Sequence, residues 1–127
     1  MENLSLTDYQ AQAKETAIYG GSVAGVMATG DFVTTSAWMR LAYCAGKLNG
    51  EAGELGEEVF KMMRDDLCQL YRERRVRIVK ELGDVLWYAA QIATELEVDL
   101  GAVAQANLEK LAGRKDRDTL HGSGEDR

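Results

Sequence analysis

Proline is absent from this chain of 127 residues, and histidine occurs once, as His121. With no proline, nothing in the sequence forces a helix to kink or stop. With a single imidazole near the end, the chain lacks the ligands that zinc sites and Glu-x-x-His di-iron or di-manganese bundles require. Cysteine is nearly as scarce. Cys44 and Cys68 are too few for a disulfide framework, so both are expected as free thiols in a reducing compartment, and no histidine stands near enough in sequence to suggest a Cys–His nucleophile. No apolar run approaches the ~18 residues of a membrane span, and no charged-then-apolar leader opens the chain. A soluble, cytoplasmic protein is the expectation. Positive charge is also short, with 15 Lys and Arg against 21 Asp and Glu and a net charge of −6. That balance argues against nucleic acid or an anionic membrane as partner. A negatively charged substrate would need a metal ion and local basic groups.

What the sequence does contain is helical periodicity almost throughout, in a length that suits one small domain with little core to spare. Thr7, with Gln10 three residues on, has capping-box spacing, predicting a first helix to about Tyr19 ended by Gly20 and Gly21. Residues 20–35, with Gly25, Gly30 and Asp31, read as a loop or short broken helix. Ser36 is the expected cap of a second helix to about Asp66, whose apolar positions are Leu41, Leu48, Ala52, Leu55, Val59 and Met62. A third helix is expected from about Gln69 to Glu97, with Val79, Leu82, Leu86, Ala89, Ala90, Ile92 and Ala93 as its apolar face. Asp99 should cap a fourth, running to about Leu111 and ended by Gly113. The fold class is therefore all-α, a bundle of about four helices over residues 1–113, followed by a charged tail or lid over 114–127.

The chemistry concentrates in two acidic motifs, Glu51-x-x-Glu54 and Glu81-x-x-Asp84, separated by 26 residues. Helical spacing puts Glu51, Glu54 and Glu58 on one stripe and Glu81 with Asp84 on another. Facing each other inside apolar helices, these stripes would repel unless a divalent cation neutralised them. Carboxylate oxygens without His or Cys select Mg²⁺, with Mn²⁺ as substitute. Glycines at 50, 53 and 56 are poor helix formers and suggest close approach of another backbone or a ligand. The competing reading is a non-enzymatic helical module whose acidic stripes are solvated and whose apolar stripes mediate dimerisation.

The double acidic motif in this order, with the stretches KLNGEAGELGEEVFKMMRD, KELGDVLWYAAQIATELEVDL and VAQANLEKLAGR around it, resembles the MazG-like all-α nucleoside triphosphate pyrophosphohydrolases over residues 4–114. The opening LTDYQAQAKETAIY is similar to that of the short phage and bacterial members, and the MazZ group acting on guanine nucleotides is the subgroup it suggests. The glycine-bearing stretch at 20–35 departs from the common pattern. The resemblance implies a bundle completed by dimerisation, as a homodimer or a dimer of dimers, and hydrolysis of a nucleoside triphosphate between the α and β phosphates. For a phage-encoded protein the compartment would be the host cytoplasm. An all-α enzyme of the dUTPase or dCTPase kind would use the same carboxylate cage.

Glu51, Glu54, Glu81 and Asp84 are the expected metal ligands, and Glu54 is the first choice to orient the attacking water, with Glu51 and Glu58 as rivals. Asn107, Lys110 and Arg114 share one face of the fourth helix, and the resemblance favours Asn107 and Lys110 as phosphate contacts. Lys61 and Lys80 are further candidates, each equally well read as a partner of a neighbouring glutamate. Trp38, one to two turns before the acidic stripe, is the candidate for stacking on a base.

Overall fold

The computed structural model describes residues 3–19 and 32–124, the side chains of 32–36 excepted. It contains helices α1 (Leu6–Glu15), α2 (Phe32–Asp65), α3 (Arg72–Glu95) and α4 (Leu100–Asp116), with no strand among the described residues. The all-α reading holds; several boundaries move. α1 begins two residues earlier than Thr7 implies, because Ser5 is the cap. Its hydroxyl accepts from the Asp8 N–H at 3.0 Å and donates to the Asp8 carboxylate. Gln10 is used elsewhere. Its side chain accepts from Leu100 N–H at 2.7 Å and donates to the Val98 carbonyl at 2.9 Å, tying α1 to the start of α4. α1 also stops at Glu15, short of Tyr19.

The expected loop at 20–35 lies mostly outside the described residues, but its last positions are helical. α2 starts at Phe32, which makes Ser36 an interior residue and not a cap. α2 and α3 form an antiparallel hairpin joined by a tight turn in which Leu67 and Cys68 adopt positive φ. This turn delays α3 to Arg72, beyond the expected Gln69. The two helices meet along a seam with alternating three- and four-residue spacing. On α2 it comprises Leu41, Cys44, Leu48, Glu51, Leu55, Glu58 and Met62; on α3, Arg74, Ile78, Glu81, Val85, Tyr88, Ile92 and Glu95, all buried or half-buried. Ion pairs hold both ends of the register: Arg40 to Glu95 at 2.9 Å, and Arg74 to Glu58 and Asp66 at 2.8 Å each.

α1 lies along the second half of α3, where Ala13, Ala90 and Ala93 are buried and the Trp87 indole N–H donates to Thr16 at 2.9 Å. Ten residues span only ~15 Å, against ~36 Å for α3. The apolar face expected on α3 is consequently split: Ala90 and Ala93 are core, whereas Val79, Leu82 and Leu86 remain 57, 53 and 39% exposed, as does Val76, outside the expected face, at 48%.

Asp99 caps α4 as expected, its carboxylate accepting from Ala102 N–H at 2.7 Å. The stop at Gly113 is overturned, since α4 runs through it to Asp116. Termination is made by Asp118 at positive φ, with Thr119 N–H donating to the Arg114 carbonyl at 2.8 Å and Asp118 N–H to that of Lys115 at 3.0 Å. Glycine inside a helix costs only about 1 kcal/mol, too little to stop one whose next residue, Arg114, is buried. α4 packs chiefly on α1. No helix among the described residues is long and apolar enough to cross a membrane.

Candidate metal and active site

The α2–α3 hairpin brings one carboxylate oxygen from each of Glu51, Glu81 and Asp84 within 4.8 Å of one another. Glu51 and Glu81 sit at half-buried seam positions, between Leu48 and Leu55 on α2 and between Ile78 and Val85 on α3, and Asp84 stands at the exposed edge. Burial, then the negative charges of Glu54, Asp84, Glu51 and Glu58, push the Glu81 carboxyl above the usual carboxylate range. The side chains thus converge with an excess of negative charge and an open face. Three oxygen donors of this kind suit Mg²⁺ or Mn²⁺ and not zinc.

Lys47 is a neighbour that the motif reading missed. Its Nζ lies 2.9 Å from Glu51 and 5.7 Å from the centre of the Tyr88 ring, so it partly offsets the charge of the cluster. The i, i+4 spacing of Lys47 and Glu51 was the available signal. Tyr9 was also missed; burial, then the Asp84 carboxylate, raise its hydroxyl pKa.

Glu54 is exposed on α2 beside the cluster and is the largest single charge acting on Glu81, after the effect of burial. Glu58 is committed differently. One oxygen accepts from Arg74 at 2.8 Å and Arg77 at 2.9 Å, the other from Lys61 at 3.2 Å, and these cations hold its carboxyl down to about 2. Lys61 is thereby engaged with Glu58 and, at 3.6 Å, with Glu57. Lys80 is exposed next to Glu81. Asn107 and Lys110 are exposed on α4, away from the α2–α3 seam, and Arg114 is buried in that helix's last turns. Trp38 stands at the far end of the seam, beside Leu41 and Glu95 to Glu97. It is 13 residues from Glu51, about 20 Å along the axis, not one to two turns.

The close approach expected at the helical glycines is not made among the described residues. A Cβ added at Gly50, Gly53 or Gly56 meets nothing within 4 Å, so this face of α2 is open. Both cysteines are free, Cys44 buried against α3 and Cys68 exposed in the turn.

An all-α hairpin with carboxylates converging from two helices defines a candidate metal-dependent hydrolase, and comparison with known proteins agrees. The family model described as the MazG nucleotide pyrophosphohydrolase domain matches residues 43–118, which include every member of the cluster. The Gene 37 protein of Mycobacterium phage L5 is 43% identical over 119 residues, covering 94% of this chain and 96% of that protein. No solved structure matches. The chain belongs to the MazG nucleotide pyrophosphohydrolase family.

Proposed function

We propose that this protein is a Mg²⁺-dependent nucleoside triphosphate pyrophosphohydrolase that cleaves between the α and β phosphates to give a nucleoside monophosphate and pyrophosphate. Guanine nucleotides, dGTP or GTP, are its preferred substrates. The observation that carries the reading is the convergence of Glu51, Glu81 and Asp84 from two helices, with the Glu81 carboxyl raised by burial and then by its neighbours. Those three residues, with Glu54 beside them, would hold Mg²⁺ or, in its place, Mn²⁺. When bound, the ion neutralises charge on the phosphate oxygens and makes a coordinated water more acidic. Glu54, exposed beside the cluster, orients the attacking water in line and accepts its proton. Lys80, exposed next to Glu81, is the phosphate contact on the seam, since Lys61 is engaged with Glu58 and Arg114 is buried; Asn107 and Lys110 join it on the family resemblance alone.

The bare stripe Val76, Val79, Leu82 and Leu86 supports self-association, as a homodimer or a dimer of dimers. The phage relative fits action in the cytoplasm of an infected host. The test is a panel of ribo- and deoxyribonucleoside triphosphates with Mg²⁺, in wild type and in Glu54→Gln and Asp84→Asn. Turnover of triphosphates, strongest with dGTP or GTP and abolished in both variants while helical circular dichroism persists, supports the reading. No turnover with either metal returns the chain to a non-enzymatic module.

A further inference from the structure

Among the described residues Gln91 is the largest fully buried side chain, at 0% exposure, and neither its Nε2 nor its Oε1 has a hydrogen-bond partner. Exchanging the two atoms would not help, since both ends are orphaned. A buried amide left unmade is costly and calls for an explanation. Gln91 lines a cavity of about 190 Å³ where the end of α1 meets α2 and α3, with Lys14, Tyr19, Arg40, Thr94 and Glu95. The position is pertinent to the acidic cluster. Seven residues separate Asp84 from Gln91, which returns the helix to within about 20° of the same face and advances it about 10 Å, the reach from phosphate to base in one nucleotide.

We propose that the Gln91 carboxamide reads the nucleobase of a substrate whose phosphates lie at Glu51, Glu81 and Asp84, an inference that rests on the triphosphate reading above. Oε1 accepts a ring N–H and Nε2 donates to the adjacent oxo group. Lys14 and Arg40 line the same cavity. Arg40 is paired with Glu95 at 2.9 Å, which leaves the Lys14 ammonium to welcome a carbonyl oxygen and oppose an amino group. The site therefore selects bases with an oxo group beside a ring N–H, guanine and uracil or thymine, over adenine and cytosine.

The test uses nucleoside 5′-monophosphates with Mg²⁺; they have no α–β bond to cleave, so base reading is separated from hydrolysis. By titration calorimetry, wild type binds GMP and UMP more tightly than AMP and CMP. Gln91→Leu loses about 10- to 100-fold on the oxo bases and binds all four alike. Removing the orphan amide also raises Tm, by roughly 4 °C or more. Gln91→Glu, which keeps the shape with acceptors only, turns the preference toward AMP and CMP and serves if the leucine variant does not fold. Equal binding of the four monophosphates by wild type, or an unchanged preference in the variants, overturns the proposal. Base-selective binding that Gln91 controls, without hydrolysis of any triphosphate, would sink the pyrophosphohydrolase reading and leave the base site standing.

Discussion

Replacing Glu81 by Gln should move thermal stability in opposite senses with and without Mg²⁺. In the metal-free protein, burial and four neighbouring carboxylates raise the Glu81 carboxyl above its ordinary range. The folded state then binds more protons than the unfolded one just above pH ~4.5, so ionisation of Glu81 weakens the fold as pH climbs through that window. Glutamine abolishes this weakening, so above that window the metal-free variant should melt above metal-free wild type. Mg²⁺ reverses the order. Binding to the folded state alone contributes RT ln(1 + [L]/Kd), about 1.4 kcal/mol at ten times Kd and about 2.7 at a hundred times. The 127 residues, at roughly 2.1 cal/mol/K each, give an unfolding entropy near ~0.27 kcal/mol/K. Wild type should thus gain ~5 °C at ten times Kd and ~10 °C at a hundred times. Glu81→Gln, short of a central donor of the cluster, should stay nearly flat. Differential scanning calorimetry with Mg²⁺ titrated against both proteins reads this directly. A wild-type Tm indifferent to Mg²⁺, or a variant that starts no higher and responds equally, would refute the cluster as a metal site.

Glu58, held down to about 2 by Arg74, Arg77 and Lys61, stabilises the fold fully above pH ~4.5 and loses that contribution as pH falls toward 2. Acid unfolding followed by circular dichroism should therefore be less steep over this range in Glu58→Gln, and an unchanged profile would remove Glu58 from the network that holds the hairpin. Gln10→Ala strands the Val98 carbonyl and the Leu100 N–H and should cost about 1–3 kcal/mol, read as a lower urea midpoint; a shift below the error of that measurement would mean that water replaces both bonds. Leu82→Lys places charge in the bare apolar stripe of α3, and sedimentation should show the proposed homodimer or dimer of dimers in wild type and monomers in the variant, while Tm in dilute solution changes little. An assembly of unaltered mass would place the interface elsewhere.

Much of the architecture was legible because helices and acids obey short-range rules. The existence of the helices at α2, α3 and α4 followed from 3.6-residue periodicity, and the facing of Glu51 with Glu81 and Asp84 followed from spacing plus a hairpin. Boundaries were less legible where two caps competed. Ser5 took the role that Thr7 could have had, since Asp8 stands three residues after it, and Gln10 was worth more as a brace to α4. Gly113 failed to stop α4 because Asp118 supplied the left-handed residue instead. Glu58 looked identical to Glu54 in the motif. Only the arrival of Arg74 and Arg77 from the next helix separates a residue that clamps the fold from one beside the cluster, and that pairing is invisible before the register of the hairpin is known. Gln91 was silent for the same reason, since a lone glutamine among alanines carries no local sign of being buried without a partner. The length of α1 likewise decided which half of the α3 apolar face became core.

The most direct test of the account is the fate of the phosphates when the purified protein meets dGTP and Mg²⁺, followed by ³¹P NMR with ¹⁸O-labelled water. The account requires dGMP and pyrophosphate in equal amounts, with loss of signal when Mg²⁺ is chelated. Release of orthophosphate with dGDP, or intact dGTP at every metal concentration, would contradict it.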